Sequence, residues 1–167
     1  IMKFMKQYEY LHKDFDFMGP SPIDYDTHLV SDECVWEELC KFNLKNTINN
    51  GKRKIGIIFN LDPHFKGGSH WVAMFVDLAD DFVFFFNSTG ARIPKRINML
   101  ATDIIRQGRL LQPPKNIEFH QNTHTDHQKQ NTECGMYCMY FIITMLLREK
   151  DHTYSNVGGG ERMSKNE

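Results

Sequence analysis

A cysteine stands at the point where a polar segment of the chain gives way to a strongly apolar one. From Cys134 to Leu147 the sequence has almost no polar side chain, which predicts a buried helix with Thr132 or Asn131 as its N-cap. Cys134 then lies in the first turn, where unpaired backbone N–H groups and the positive end of the helix dipole favour a thiolate over a thiol. This position therefore predicts a nucleophilic sulfur that can attack a carbonyl carbon.

A base and a group to orient it are predicted at one end of a single hairpin. Two apolar, β-rich runs, Trp71 to Val76 and Phe82 to Phe86, flank a short polar turn at residues 79–81, which is typical of two antiparallel strands. Folding the chain at this turn brings Asn87 to within a residue or two of the position opposite His70, and neighbouring strands lie about 5 Å apart. An imidazole held by an amide and facing a thiol is the arrangement of cysteine hydrolases.

Asp77 is an alternative partner for the imidazole. It lies seven residues along the same strand from His70, which is roughly 23 Å at about 3.3 Å per residue. We therefore expect Asp77 at the far end of the hairpin and Asn87 as the orienting group. A neutral amide is sufficient because the thiolate and imidazolium already form an ion pair, so the third group mainly fixes the tautomer and direction of the ring.

Three short motifs follow one another along the chain: His70 followed by Trp71, Asn87 followed by Ser88, and Gln128 six residues before Cys134. In this order and spacing the chain resembles the superfamily of ubiquitin-like-protein proteases and adenovirus proteases, over roughly residues 54–147. Segments 70–73, 86–90 and 132–135 are most similar to the SUMO-protease-like, polyprotein-processing branch found in African swine fever virus. Many members carry Asp-Ser where this chain has Asn-Ser, and the swine fever branch carries Asn.

The resemblance implies a role for each of these residues: Cys134 as nucleophile, His70 as general base and then acid, Asn87 as orienting group, and Gln128 as a donor to the oxyanion. The backbone N–H of Cys134 would be the second donor, and each such donor typically lowers the barrier by about 3–4 kcal/mol. On spacing alone, Gln130 and Asn131 are alternatives to Gln128.

The resemblance also implies how substrate is recognised. Trp71 and Gly135 would line a narrow groove for the residues before the cleaved bond, where the family characteristically takes Gly-Gly. A slot too tight for any β-carbon selects glycine by steric exclusion. Without the neighbouring histidine, a core aromatic would be the better interpretation of Trp71.

The implied function is a cysteine endopeptidase that hydrolyses peptide bonds after Gly-Gly, with viral structural polyproteins as substrates. The alternative is a protease that matures or deconjugates a ubiquitin-like modifier of the SUMO type. A catalytically silent binding module is a distant third, because all four catalytic residue types are present together. No cofactor is expected, and the expected partner is a polypeptide with Gly-Gly before the cleaved bond.

Composition agrees with one globular domain. The 167 residues are 41% hydrophobic and 25% charged, which is enough for a single core. We expect a helical lead-in over residues 1–50, a catalytic core over 51–150 and a flexible, Gly-rich polar tail over 151–167. The net charge of -1 gives no indication of nucleic-acid binding.

The ends and hydropathy of the chain suggest where it works. Position 1 is not methionine and the first residues are charged every few positions, so we expect this start to be part of a longer protein and not a signal peptide. No apolar run approaches the length of a membrane span. The expectation is an intracellular protein of the host cytoplasm or virion, neither secreted nor membrane-bound.

The predicted fold class is α+β, with a mixed, mainly antiparallel sheet packed against a central helix that carries the nucleophile. The pattern predicts a strand over Lys54 to Asn60, a helix over Pro94 to Gln107 that ends before Gly108, and a short strand over Ile117 to His120. The way these elements pack is inferred from the resemblance as much as from the pattern.

The remaining cysteines and histidines are expected to be structural. Cys34, Cys40 and Cys138 are predicted to be core thiols, because a chain of this size needs no cross-links and the spacings are not those of zinc ribbons. No metal site is expected either. A polar, loop-like segment holds four possible ligands, whereas catalytic zinc ligands sit on rigid elements; these four are His120, His124, Asp126 and His127. His64 is expected to be a solvated loop residue.

Overall fold

The computed structural model describes residues 1–122 and 133–148. Within them, five helices and five strands follow one another in the order α1 (Met2–Leu11), β1 (Phe15–Pro22), α2 (Glu37–Cys40), α3 (Leu44–Asn49), β2 (Lys54–Asn60), β3 (Trp71–Asp77), β4 (Phe82–Phe86), α4 (Lys95–Arg109), β5 (Glu118–Gln121) and α5 (Cys134–Leu147). None of the helices in this described part is long and apolar enough to cross a membrane.

The five strands form one mixed sheet in the order β1-β2-β3-β4-β5. The three central strands are antiparallel neighbours, whereas each edge strand pairs parallel to the strand beside it. The central strands are buried along nearly their whole length, which explains why they are continuous apolar runs without polar alternation. The predicted α+β class, with a sheet packed on the Cys134 helix, is confirmed.

Helices cover both faces of the sheet. On one face α1 and α5 pack against a cluster rich in phenylalanine, in which the Phe141 ring stacks on Phe86 with centroids 4.8 Å apart and lies 5.3 Å from Phe84. On the other face α2, α3 and α4 pack against alternate residues of the same strands, among them Met74 and Phe85. Alternate side chains of each strand therefore belong to different cores.

Helix α5 lies close to the sheet at Gly56 on β2. A Cβ built there would lie 2.7 Å from Cγ2 of Ile142 and 3.1 Å from Cζ of Phe15. Contacts that short force neighbouring atoms to move, so this position accommodates only glycine at the observed spacing. The absence of a side chain at Gly56 allows α5 to lie close to the strand that pairs with β3.

The predicted strands β2 and β4 and the helix α5 have the boundaries that the sequence pattern indicated, and β3 extends one residue further. Helix α4 begins at Lys95, one residue after the predicted start at Pro94, and it continues through Gly108 to Arg109, so the predicted end at Gln107 is wrong. The glycine lies inside the helix, where a Cβ would lie 2.7 Å from Cδ1 of Ile117, so its small size serves close packing against the chain leading into β5 and does not end the helix.

The lead-in contains a strand as well as helices. Strand β1 was not predicted, because its sequence includes Gly19, Pro20 and Pro22, which disfavour a central strand. It occupies the edge of the sheet, where proline is tolerated, and its register with β2 shifts between Met18 and Ser21.

One prediction about the cysteines is wrong. Cys34 and Cys40 are joined in a disulfide with their Cα atoms 6.3 Å apart, because a turn and the short helix α2 return the chain to within bonding range. Cys134 and Cys138 are thiols. Cys138 is fully buried, and burial together with the nearby charge of Cys134 raises its pKa well above the ordinary value, as expected for an inert core thiol.

Candidate active site

His70 is held at the end of the β2–β3 ladder. Asn60 pairs with Trp71 as the last pair of the two strands, and one step further the carbonyl of His70 accepts a 2.9 Å hydrogen bond from the backbone N–H of Leu61. The turn before it passes Gly68 at φ +84°, where a Cβ would lie 2.7 Å from Nδ2 of Asn60. His70 is thus placed by the sheet, although it follows a loop.

The side chains of His70 and Asn87 are in direct contact. Asn87 follows the last residue of β4, is 3% exposed, and has its Oδ1 2.9 Å from Nε2 of His70. Asp77 lies at the other end of the hairpin, where its Oδ1 accepts hydrogen bonds from the backbone N–H groups of Ala79 and Asp80 at 2.9 and 2.8 Å. The predicted proximity of His70 and Asn87 is therefore confirmed, and Asp77 cannot orient the ring.

A neighbouring backbone group fixes which end of the Asn87 amide faces the ring. The N–H of Thr89 lies 3.1 Å from Oδ1 of Asn87, and the hydroxyl of Thr89 lies 2.9 Å from the same atom. A backbone N–H can only donate, so the amide atom must be the acceptor oxygen. His70 must then donate through Nε2–H, which leaves the Nδ1 lone pair of the neutral ring available as a base.

Asn122 is a supporting residue that the sequence did not indicate. It lies just after β5 and is fully buried. Its Oδ1 accepts from the backbone N–H of Asn87 at 2.9 Å, and its Nδ2 donates to the backbone carbonyl of Asn87 at 2.7 Å. The pair of bonds fixes the main chain of Asn87 as a strand partner would. No sequence signal distinguishes this asparagine from the other polar residues around it.

Cys134 is the first residue of α5, as predicted. It is 6% exposed. The N-cap is Glu133, whose side chain makes no capping hydrogen bond; the predicted caps Thr132 and Asn131 lie outside the described residues. A Cβ on Gly135 would lie 4.0 Å from Cε3 of Trp71, so the start of α5 lies beside the residue that follows His70.

Other predicted residues are placed less centrally or lie outside the described part. Gln128 and Gln130 fall in the undescribed segment, together with three of the four histidine and aspartate residues weighed as metal ligands. The fourth, His120, is 5% exposed on β5. Its ring lies 6.1 Å from that of Phe82 and 6.3 Å from that of Phe84. Burial lowers its pKa, which favours the neutral imidazole.

His64 is tied to Asp24 and not to the His70 end of the hairpin. Its Nδ1 lies 2.6 Å from Oδ2 of Asp24, and its backbone N–H donates to Oδ1 at 2.8 Å. Burial alone would raise the pKa of Asp24, but these hydrogen bonds and the imidazolium charge together lower it. The pair anchors the loop that leads to His70.

A family match covers most of the chain, including His70, Asn87 and Cys134, whose geometry is described above. Residues 43–156 match the adenovirus endoprotease family. The chain belongs to this family of cysteine proteases. The resemblance predicted from the sequence is thereby confirmed.

Viral proteins are among the relatives of this adenovirus endoprotease family member. It is 32% identical over 157 residues to thiol protease R355 of Acanthamoeba polyphaga mimivirus, a match that covers 93% of this chain and 49% of the relative. It is 33% identical over 93 residues to SUMO-1 cysteine protease S273R of African swine fever virus, covering 54% of this chain and 33% of the relative. The chain thus spans about half the length of the first relative and a third of the second.

Solved structures share the fold of this adenovirus endoprotease family member. The crystal structure of the African swine fever virus protease pS273R superimposes with a TM-score of 0.71 at 21% identity, covering 92% of this chain and 57% of that one. The Ulp1 protease domain in complex with Smt3, the yeast ortholog of SUMO, gives a TM-score of 0.58 at 17% identity, covering 92% and 67%.

Proposed function

We propose that the chain is the catalytic part of a cysteine endopeptidase, with Cys134 as nucleophile, His70 as base and acid, and Asn87 as the residue that orients the imidazole. The observation that carries this proposal is the 2.9 Å hydrogen bond between Nε2 of His70 and Oδ1 of Asn87. Because the amide orientation fixes the ring tautomer, Nδ1 is the atom that takes the thiol proton. The short distance between the Cys134 helix start and Trp71 supports the same assignment.

The reaction proceeds in two transfers of an acyl group. The Cys134 thiolate attacks the carbonyl carbon, and the C–N bond breaks as the His70 imidazolium gives its Nδ1 proton to the leaving amine. The product is a thioester on Cys134. Water then attacks the thioester, with His70 Nδ1 taking its proton, and the thiolate leaves.

The tetrahedral intermediate carries an oxyanion that needs donors. We assign this role to the side-chain amide of Gln128 and to the backbone N–H of Cys134, the first residue of α5. Gln130 and Asn131 are the alternatives to Gln128.

The substrate is a polypeptide with Gly-Gly before the cleaved bond. Trp71 is half-buried next to His70, and Gly135 lies against it, so a groove bounded by these two residues would be narrow beside the nucleophile. Narrowness excludes β-carbons and selects glycine. The viral origin of the relatives supports a structural polyprotein as the substrate and the host cytoplasm or virion as the place of action.

A ubiquitin-like modifier is the second candidate substrate. Two relatives favour it: one is named a SUMO-1 cysteine protease, and the Ulp1 domain was solved in complex with Smt3. Both candidate reactions use the same chemistry and differ only in what lies beyond the Gly-Gly tail. A catalytically silent binding module is the distant alternative.

Loss of the nucleophile tests the assignment. Cys134→Ser should lower kcat/KM on a fluorogenic Gly-Gly-X peptide by at least about a thousandfold, whereas Cys138→Ala, one helical turn along, should keep activity while the protein remains folded. A Gly-Gly vinyl sulfone should alkylate the wild type on Cys134 alone, read by peptide mass spectrometry. Equal labelling of Cys134→Ser and wild type would refute the assignment.

The oxyanion donor and the substrate class need separate measurements. Gln128→Ala should lower kcat by about a hundredfold, the usual effect of losing one donor, and Gln130→Ala is its matched control; the reverse result would reassign the role. For the substrate, kcat/KM is compared between a Gly-Gly-X peptide and an intact SUMO with a fluorogenic tail. A modifier protease would prefer the folded SUMO, and a polyprotein protease would not.

A further inference from the structure

A histidine and two cysteines that the proposed reaction does not use converge on the surface between β1 and α3. The ligand atoms of His28, Cys34 and Cys40 all lie within 4.8 Å of one another. Cys34 Sγ is 3.9 Å from Nε2 of His28. These three residues, which we call the His28 cluster, are spaced evenly in the sequence, with five residues between each pair.

One separation in the His28 cluster, between a sulfur and a ring nitrogen, is close to that of a zinc site, and the two sulfurs must move apart to reach the other. With Zn–S bonds of about 2.3 Å and Zn–N bonds of about 2.0 Å, tetrahedral zinc holds a sulfur and a nitrogen about 3.5 Å apart and two sulfurs about 3.8 Å apart. The sulfur–nitrogen distance is already near this value. Once the disulfide is reduced, no bond holds the two sulfurs together, and rotation about the Cα–Cβ bonds of the two cysteines can increase their separation while the Cα atoms stay 6.3 Å apart.

The second ring nitrogen of His28 has the partner that a metal-binding histidine usually has. Its Nδ1 lies 2.9 Å from Oδ1 of Asp32. A carboxylate accepts from Nδ1–H, so the lone pair of the neutral ring is on Nε2, the nitrogen that faces Cys34. Such carboxylate–histidine pairs fix the ring and strengthen it as a ligand in zinc sites.

The backbone around the His28 cluster is fixed before any metal binds. His28 and Cys34 form an antiparallel bridge, and the N–H of Val35 donates to the carbonyl of Thr27 at 3.0 Å. Cys34 is 6% exposed, whereas the His28 side chain is 58% exposed, which leaves a route for an ion. The cluster is therefore both preformed and accessible.

We propose that the His28 cluster is a redox-switched zinc site. In the reduced protein, Zn²⁺ displaces one proton from each thiol and binds two thiolates and Nε2 of His28, with water in the fourth position. A peroxide reverses this: each sulfur loses one electron, the S–S bond forms, Zn²⁺ is released, and the peroxide is reduced to two hydroxide ions. A dithiol reductant opens the disulfide again and is itself oxidised.

The test uses the full chain carrying Cys134→Ser, so that zinc cannot bind the proposed catalytic thiolate and imidazole. The protein is reduced with a phosphine, freed of metal and dialysed against Zn²⁺, and bound zinc is counted by mass spectrometry. We expect about one equivalent in the reduced protein, and in the oxidised protein no more than in a variant that also carries Cys34→Ser and Cys40→Ser. Co²⁺ in place of Zn²⁺ should give a thiolate charge-transfer band only in the reduced protein with both cysteines.

Variants of the imidazole separate this site from adventitious thiol binding. His28→Gln should weaken Zn²⁺ binding at least tenfold and Asp32→Asn about tenfold, whereas His12→Gln should leave it unchanged. The reduced protein and the double-serine variant both lack the disulfide. Circular dichroism of the two therefore shows whether the double-serine variant fails to bind zinc because it is unfolded. The proposal would be overturned if zinc still bound to the double-serine variant, or if His28→Gln left the affinity for zinc unchanged. Neither result bears on the protease assignment.

Discussion

The orientation of the His70 ring depends on atoms that it never touches. Thr89 decides which end of the Asn87 amide faces the imidazole, and Asn122 holds the main chain of Asn87 from the other side. The ring tautomer is therefore fixed by a network that extends from β4 to the end of β5. In this network Asn122 is a positioning residue.

Asn122→Ala should reduce both stability and activity. The buried backbone N–H of Asn87 would lose its partner, whereas the carbonyl would keep the 2.9 Å hydrogen bond from the N–H of Gly90. One unsatisfied buried group costs about 1–3 kcal/mol, so we expect unfolding in urea to show a loss of about 1–3 kcal/mol. In the protein that remains folded, kcat should fall about tenfold with little change in KM, because the imidazole of His70, the proposed base, is misdirected.

Asn98→Ala is the matched control for this prediction. Asn98 is exposed on α4, and its replacement should change stability by less than about 0.5 kcal/mol. If Asn122→Ala loses stability but keeps the wild-type kcat, Asn122 has only a structural role.

The residues that the sequence could predict are those whose neighbours are set by local geometry. His70 and Asn87 share one hairpin, so strand spacing alone placed them together, and the start of α5 followed from hydropathy. Asn122 reaches Asn87 only through the parallel pairing of β4 with β5, a long-range contact without a local signal. The same holds for His28 and Cys40, whose proximity depends on how a turn and α2 fold back.

Helix α5 is fastened to the hairpin at its far end as well as near its start. Arg148, the residue after the helix, places Nη2 2.8 Å from Oδ2 of Asp77 and 2.9 Å from Oδ2 of Asp80. The side chains of Arg148 and Asp77 are 6% and 0% exposed. A buried ion pair of this kind sets the position of the helix along the sheet.

Arg148→Ala should destabilise the fold by about 3–5 kcal/mol, because it leaves the buried Asp77 carboxylate without its guanidinium. The exposed pair between Arg96 and Asp26, at 3.0 Å, provides the comparison, and Arg96→Ala should cost less than about 1 kcal/mol. Thermal unfolding of both variants measures the difference.

Asp77→Asn in the Arg148→Ala background provides the internal check. It should recover part of the loss, because a neutral amide is less costly to bury than an unpaired carboxylate. Equal effects of Arg148→Ala and Arg96→Ala would show that the buried pair contributes nothing special.

Elements with an unambiguous pattern were predictable, and elements defined by their surroundings were not. Strands β2 and β4 and helix α5 are long apolar runs with polar flanks, so hydropathy gave their boundaries. Strand β1 contains two prolines and a glycine and becomes a strand only because β2 offers a parallel edge. Gly108 resembles a helix end in sequence, but its contact with Ile117 keeps it inside α4.

At the level of the whole molecule, helices on both faces of one sheet give the protein two cores. The edge strand β5 brings a titratable group into one of them, since the buried His120 ring lies against Phe82 and Phe84. Burial lowers the pKa of His120, while the charge of Glu118 acts in the opposite direction. The neutral ring is the form that the fold accepts.

The free energy of unfolding should therefore fall as the pH drops below about 6.5, the ordinary pKa of histidine. In that range the unfolded chain binds a proton that the folded chain does not, so the sign favours unfolding in acid. The slope from one such group is at most about 1.4 kcal/mol per pH unit.

His120→Phe keeps an aromatic ring in place and removes the proton site. Between pH 7 and pH 5, the free energy of unfolding of the variant, measured in urea, should fall less steeply with decreasing pH than that of the wild type. From pH 7 to pH 8 the two free energies should differ by a constant amount. Identical slopes in the acid range would exclude His120 as the source.

The close approach of α5 to Gly56 affects how future alignments of this family should be interpreted. Substitution at this position would be limited by the short distance between α5 and β2. A glycine conserved there among relatives could therefore be mistaken for an active-site residue, although it takes no part in the reaction. Conservation of Gly56 would then reflect the packing distance between α5 and β2 and not a catalytic role. A larger residue at Gly56 would require a smaller residue in place of Ile142.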